Sequence, residues 1–306
     1  MPAFPASFGM PVRVDLSTSE PKAAEQFYGS LFRWQFSDAH PAYGGVADSQ
    51  ADGRRVATRM GMPVSVVLEA DDEQRHQWRV NFHVDDAAAA AEHARECGAQ
   101  VVQEAVALVD GSKLAIIADP AGALVGLLEQ PGEQAFFAAG EPGTPVWFEL
   151  LSSAGANGDA GTNGDAGADK DAPGVSFDSV MDFYHQLFGW EIAIRAKTDQ
   201  FTYAVGIEEG APFVGLAHAE QAAGQGWMAY FGVENIDAAV AEVKQNGGEV
   251  LSEPQMTEFG PLATVKDSAG VTTIICEVPP APAEDISEAE DLFSLDLSGH
   301  DQTRPQ

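Results

Sequence analysis

Apolar residues at Ala23, Ala24, Phe27, Tyr28, Leu31 and Phe32 recur at intervals of three and four. That spacing predicts a helix over residues 22–32 with one face for packing. The preceding VRVDLS alternates instead, which predicts a strand over 12–17. Short strands are expected around Trp34, Tyr43 and Val56, with a hairpin loop near residues 50–55. A strand over 80–84 then leads into a helix over 86–97, which Gly98 stops. Strands over 100–106, 113–118 and 124–129 complete the stretch. The order is strand, helix, three strands, and then the same again.

The whole pattern recurs. EQFYGSLFRWQF and MDFYHQLFGWEI share F-Y-x-x-L-F-x-W, with Phe27 and Phe183 156 residues apart. WRVNFHVDD from Trp78 matches WMAYFGVEN from Trp227, 149 apart, and the ADPAG turn at Asp119 matches KDSAG at Asp267, 148 apart. VRVDLS aligns with VWFELL, so Asp15 matches Glu149, 134 apart. Such offsets mean two copies of one domain of about 130 residues. The jump from 134 to 156 locates an insertion in copy two, the Gly/Ala/Asp-rich segment 153–174, whose composition predicts a mobile loop. The expected limits are 1–135 and 141–280, joined by a linker within 130–145 and followed by an acidic, disordered tail over 281–306. The apolar cluster DLFSLDL in that tail reads as incidental or as a short docking helix.

Composition narrows the function. Forty-seven acidic against 16 basic residues give a net charge of −31, which excludes nucleic acid and anionic membrane as partners. No apolar run is long enough to span a bilayer, and the N-terminus lacks the basic start and apolar core of a secretory signal. With Cys97 and Cys276 far apart, the expected compartment is the cytoplasm. The phosphate-binding, nucleophile-elbow and H-E-x-x-H motifs are all missing.

The repeated phrase, the F-x-V-D-D-type strand–helix junction and the late D-P-x-G turn resemble the vicinal oxygen chelate superfamily. Glyoxalase I, extradiol dioxygenases and bleomycin-resistance proteins belong to it. The resemblance covers residues 11–130 and 145–278 and implies an α+β fold. Two tandem glyoxalase-like domains are expected, each of two βαβββ units forming a half-open curved mixed sheet. It also implies a metal site in the metal-dependent members, with four His or carboxylate ligands facing the sheet's concavity. Those positions here hold Arg13, Arg79 and Gly126 in copy one and Trp147, Met228 and Ile274 in copy two. The fourth lies near Thr58 or Ala217. None of the six is an ordinary metal ligand, so no metal and no other cofactor is expected.

Alternation sets which strand residues face the concave side. Copy one offers Arg13, Asp15, Arg79, Asn81 and His83, with Arg13–Asp15 and Arg79–Asp15 ion pairs within reach. Copy two offers Trp147, Glu149, Met228, Tyr230, Ile274 and Cys276, an apolar wall around one carboxylate. The candidate acid–base groups are therefore Glu149, Asp15 and His83. Arg13, Arg79, Asn81, Trp147, Met228, Tyr230 and Ile274 are the candidate ligand contacts. The competing role for Asp15 is a satisfied internal ion pair, and for Glu149 a plain hydrogen bond to Tyr230. His218 either lines the copy-two cavity or ends a strand. The leading expectation is a metal-independent protein that binds a small apolar or aromatic metabolite in a concave cavity. The alternatives are a lyase or hydroxylase working through carboxylate and His groups, and a protein-interaction module. The chain is expected to be a monomer with paired domains or a homodimer.

Overall fold

The computed structural model describes residues 3–37, 54–70, 76–108, 111–130, 135–138, 140–153, 175–219, 226–257 and 260–279. Most of loop 153–174, the tail 281–306, the strand expected near Tyr43 and most of the 50–55 hairpin lie outside them.

Copy one begins with β1 (Ala3–Ala6), β2 (Pro11–Thr18), α1 (Pro21–Phe32) and β3 (Gln35–Ser37). It continues with β4 (Arg54–Arg59), β5 (Met62–Glu69), β6 (Gln77–His83) and α2 (Ala87–Glu96). β7 (Gln100–Ala107), β8 (Lys113–Ala118), β9 (Leu124–Glu129) and β10 (Ala135–Ala138) follow. Copy two runs β11 (Pro145–Ser153), α3 (Phe177–Phe188), β12 (Glu191–Lys197), β13 (Phe201–Glu208), β14 (Ala211–Ala219) and β15 (Gly226–Val233). It ends with α4 (Ile236–Gln245), β16 (Glu249–Thr257), β17 (Gly260–Lys266) and β18 (Thr272–Glu277).

Each copy builds an eight-stranded mixed sheet, in the orders β3-β4-β5-β2-β6-β9-β8-β7 and β12-β13-β14-β11-β15-β18-β17-β16. The two units of a copy meet at an antiparallel pair, β2 with β6 and β11 with β15. The outer partners of those strands, β5 and β9 or β14 and β18, are parallel to them. The sheets are open, as the sequence implies. Within the linker 130–145, Ala135–Ala138 pairs with the N-terminal strand, antiparallel to Ala3–Ala6.

Local chemistry explains the helices. Asp86 caps α2 by accepting from the amides of Ala88 and Ala89, and Asn235 caps α4 through Ala238. Glu129 and Glu277, on the last strand of each sheet, accept from Ala87 N and Ile236 N at the first turns of the same helices. α3 ends at Gly189 with φ 75°; α1 makes the same left-handed turn with Arg33 at φ 60°.

The repeated helix phrase reaches across to the other copy. Tyr28 of α1 donates to Asp267 Oδ2 at 2.9 Å, and Tyr184 of α3 donates to Asp119 Oδ2 at 2.9 Å. Each Asp heads a late turn and uses its other oxygen to cap two backbone amides there. The Trp of each phrase crosses as well. Trp34 Nε1 donates to Gly143 O at 2.7 Å and Trp190 Nε1 to Gly9 O at 3.0 Å. These four bonds form two pairs related by the duplication. Phe82 against Trp227 and Phe231 against Trp78 fill the space between the central strands β6 and β15. The helix-facing sides of both sheets thus share one apolar core, and the concave sides face away from it.

Candidate functional site

The concave side of copy two holds a cavity of about 810 Å³. Its walls are Val146, Trp147, Leu151, Ala196, Phe201, Tyr203, Ala217, Ala219, Tyr230, Thr257, Leu262, Cys276 and Val278, with Glu149 as the one carboxylate among the described residues. That volume suits a drug-sized molecule, and an apolar wall with a few convergent polar groups is the usual build of a small-molecule site.

Glu149 is half-buried on β11. Its Oε1 accepts from Tyr230 OH at 3.1 Å, and Trp147 and Tyr203 also hydrogen-bond the carboxylate. A glycine makes this crowding possible: a Cβ on Gly215 would lie 2.9 Å from Tyr203 OH, 3.0 Å from Glu149 Oε2 and 3.1 Å from Trp147 Nε1. Burial pushes the Glu149 carboxyl above its ordinary pKa, against the opposing pull of the three hydrogen bonds. Burial and the Glu149 charge push the Tyr230 phenol up, so it stays a donor.

The same place in copy one is built differently. Asp15 is 1% exposed and lies between two arginines. Arg13 reaches its carboxylate with Nε at 2.7 Å and Nη2 at 3.1 Å, and Arg79 Nη2 lies 2.9 Å from Oδ2. Both of the expected ion pairs form at once. Burial pushes the Asp15 carboxyl up, but Arg13 and Arg79 together outweigh it and hold it below the ordinary value. Asn81 accepts from Arg79 Nε at 3.2 Å and donates to Arg13 O at 3.2 Å. A Cβ on Gly126 would come within 1.9 Å of Asn81 Oδ1, so only glycine leaves room for this network. Arg54 stands within electrostatic reach of Arg79.

The sequence candidates thus separate into two places. Trp147, Glu149 and Tyr230 line the copy-two cavity. Met228 sits directly opposite Glu149 in the sheet and Ile274 beside Tyr230, but neither is part of the cavity wall. Arg13, Asp15, Arg79 and Asn81 form the buried network of copy one. His83 lies farther along β6, with Nε2 3.8 Å from Asp85 Oδ1; its buried Nδ1 has no hydrogen-bond partner among the described residues. Asp15 and His83 are therefore not in one cavity with Glu149. His218 lies on the other face of β14, stacked on Phe177. Alternation along β11 and β15 did not reach Phe201, Tyr203 and Leu262, which come from β13 and β17; Ala217 of β14, near the fourth position implied by the resemblance, also lines the cavity. The run FTY was the readable signal, since it puts Phe201 and Tyr203 on one face.

The donor sets do not suit a divalent metal. The six positions named from the resemblance carry two guanidinium groups, an indole, a thioether and an aliphatic group, and at Gly126 no side chain at all. Among the described residues no three His, Cys, Asp or Glu side chains converge as metal ligands.

Comparison with known proteins agrees with this architecture. A family described as "Glyoxalase-like domain" matches residues 12–128, and "Glyoxalase/Bleomycin resistance protein/Dioxygenase superfamily" matches 174–275. "Putative glyoxylase CFP32" of Mycobacterium tuberculosis is 29% identical over 90% of this chain and 97% of its own length. "Anthracycline biosynthesis protein DnrV" of Streptomyces peucetius is 27% identical over 88% and 94%. Among solved structures, the 2,3-dioxygenase LapB of Pseudomonas sp. KL28 superposes with a TM-score of 0.56 at 13% identity, covering 92% of this chain and 96% of that one. That likeness speaks for the fold alone. With a glyoxalase-like domain in each half, built on the same sheet order, the chain belongs to the glyoxalase/bleomycin resistance/dioxygenase superfamily, that of the vicinal oxygen chelate proteins.

Proposed function

We propose that this protein binds a small apolar or aromatic metabolite in the copy-two cavity without a metal ion. The observation that carries this reading is the cavity itself, about 810 Å³ lined by aromatic and aliphatic side chains around Glu149. The relatives bear on the ligand class: one is named as an anthracycline biosynthesis protein, which fits a fused-ring aromatic molecule. Copy one supports the structure; its concave side is committed to the Arg13–Asp15–Arg79 network. Titrating the protein with neutral fused-ring aromatics tests this reading, using the fluorescence of Trp147 against a Trp147→Phe control. Saturable quenching that survives a chelator is expected. Binding that requires a stoichiometric divalent metal contradicts it.

A second reading has one observation in its favour. A carboxyl pushed up by burial inside a ligand cavity is suited to take a proton, so Glu149 would serve as a general base for a lyase or hydroxylase. Asp15 is a poor partner in that chemistry, because its oxygens are already held by two guanidiniums. Turnover abolished by Glu149→Gln with ligand affinity retained would favour this reading over binding alone.

A further inference from the structure

The two copies place a carboxylate at the same point, Asp15 and Glu149, and differ in what neutralises it. The register fixes the correspondence. Asp15 is opposite Arg79 and Glu149 is opposite Met228. Asp15 lies beside Val66, which pairs with Val56 on β4; Glu149 lies beside Gly215, which pairs with Val205 on β13. Two residues before Val56 and Val205 stand Arg54 and Tyr203. Arg13, Arg54 and Arg79 of copy one are thus Trp147, Tyr203 and Met228 in copy two. The carboxylate is kept, while the two arginines that hold it and the third beside Arg79 are all replaced by neutral side chains.

The replacement leaves Glu149 with phenol and indole donors and no cation against it among the described residues. Trp147, Tyr203, Tyr230 and Phe201 stand around the same space. Aromatic faces with a carboxylate at one end are the standard surroundings of a bound ammonium. The polar groups also have their protons in use. Tyr203, Tyr230 and Trp147 all engage Glu149, so the cavity offers a ligand mainly acceptors.

We infer that the copy-two ligand carries a positive charge, a protonated amine on an aromatic or apolar body, which pairs with Glu149 where copy one uses its own arginines. This inference rests on the reading that the cavity takes aromatic ligands, and adds the charge. Burial of an uncompensated carboxylate is costly, and a cationic ligand relieves that cost on entering. The net charge of −31 draws organic cations toward the protein and repels anionic metabolites.

Isothermal titration of the full chain with 2-naphthylmethylammonium and with 2-naphthalenemethanol tests it, because the two share a ring system and differ in charge. The amine is expected to bind at least about tenfold more tightly, a difference of about 1.4 kcal/mol. Glu149→Gln should bring the ratio to about one while the alcohol still binds, which shows that the cavity is intact. Met228→Arg, which sets a guanidinium opposite Glu149 as Arg79 stands opposite Asp15, should remove the preference in the same way. Equal affinities in the unaltered protein, or a preference that survives both substitutions, overturn the inference and leave the parent reading standing. Failure of both probes to bind at millimolar concentration overturns the parent reading, and the inference with it.

Discussion

Asp15→Asn and Glu149→Gln remove the same charge from the same place in the two copies, and their effects on stability should differ in size and sign. Asp15 is buried and accepts three charge-assisted bonds from two guanidiniums. An amide in its place leaves Arg13 and Arg79 buried side by side without a counter-charge. Breaking a buried ion pair by removing one partner costs about 3–5 kcal/mol. Glu149 faces no cation among the described residues, so neutralising it should leave stability within about 1 kcal/mol, on the stabilising side. The pH dependence separates the two further. Asp15 has a folded pKa below its unfolded value, so its contribution is present above about pH 4 and is lost as pH falls through the folded value. Glu149 has a folded pKa above 4.5, so its penalty is absent below that pH and grows as pH rises through the folded value. Urea unfolding followed by tryptophan fluorescence, between pH 3 and pH 8, reads both effects. Equal losses of about 3 kcal/mol for the two substitutions would refute the asymmetry on which the assignment of the ligand site depends.

Other outcomes follow from the same geometry. Tyr184→Phe removes the acceptor of Trp227 Nε1 as well as the donor to Asp119, and Tyr28→Phe acts alike at Asp267; each should cost about 1–3 kcal/mol in denaturant unfolding. Gly126→Ala forces Asn81 out of its bonds to Arg79 and Arg13 and should cost about 2 kcal/mol or more, whereas Gly61→Ala, with nothing near its Cβ, meets only the penalty of its positive φ. Affinity for 2-naphthylmethylammonium should fall as pH drops through the raised Glu149 pKa, while that for 2-naphthalenemethanol stays level; titration calorimetry at several pH values reads this. Dialysis against a chelator should change neither affinity.

The duplication, the sheet units and the central carboxylates were legible in the sequence because each leaves a local trace: period, offset or alternation. Asp15 and Glu149 were found by alternation along one strand each. Partners far away in the chain left no such trace. Nothing around Tyr28 names Asp267, so the helix phrase shows in the sequence only as a packing face, although its Tyr and Trp tie the two copies together. Met228 is paired with Glu149 and Ile274 with Tyr230, yet neither lines the cavity. Curvature decides which residues of the sheet reach the cavity, and it brought in Tyr203 and Leu262 from strands that carry no family landmark. Gly215 was the one local clue to the crowding at Glu149, since an interior strand glycine often marks a close approach.

Ligand is expected to enter the concave side of copy two and not that of copy one. Ala217→Trp would fill that cavity from its wall and leave the shared core untouched, with near-ultraviolet circular dichroism as the check on folding. Calorimetric titration of this variant with 2-naphthylmethylammonium is the direct measurement. The unaltered protein should take up one equivalent per chain, and the folded variant should show no saturable binding. Undiminished uptake by the folded variant would place the ligand elsewhere and contradict the account.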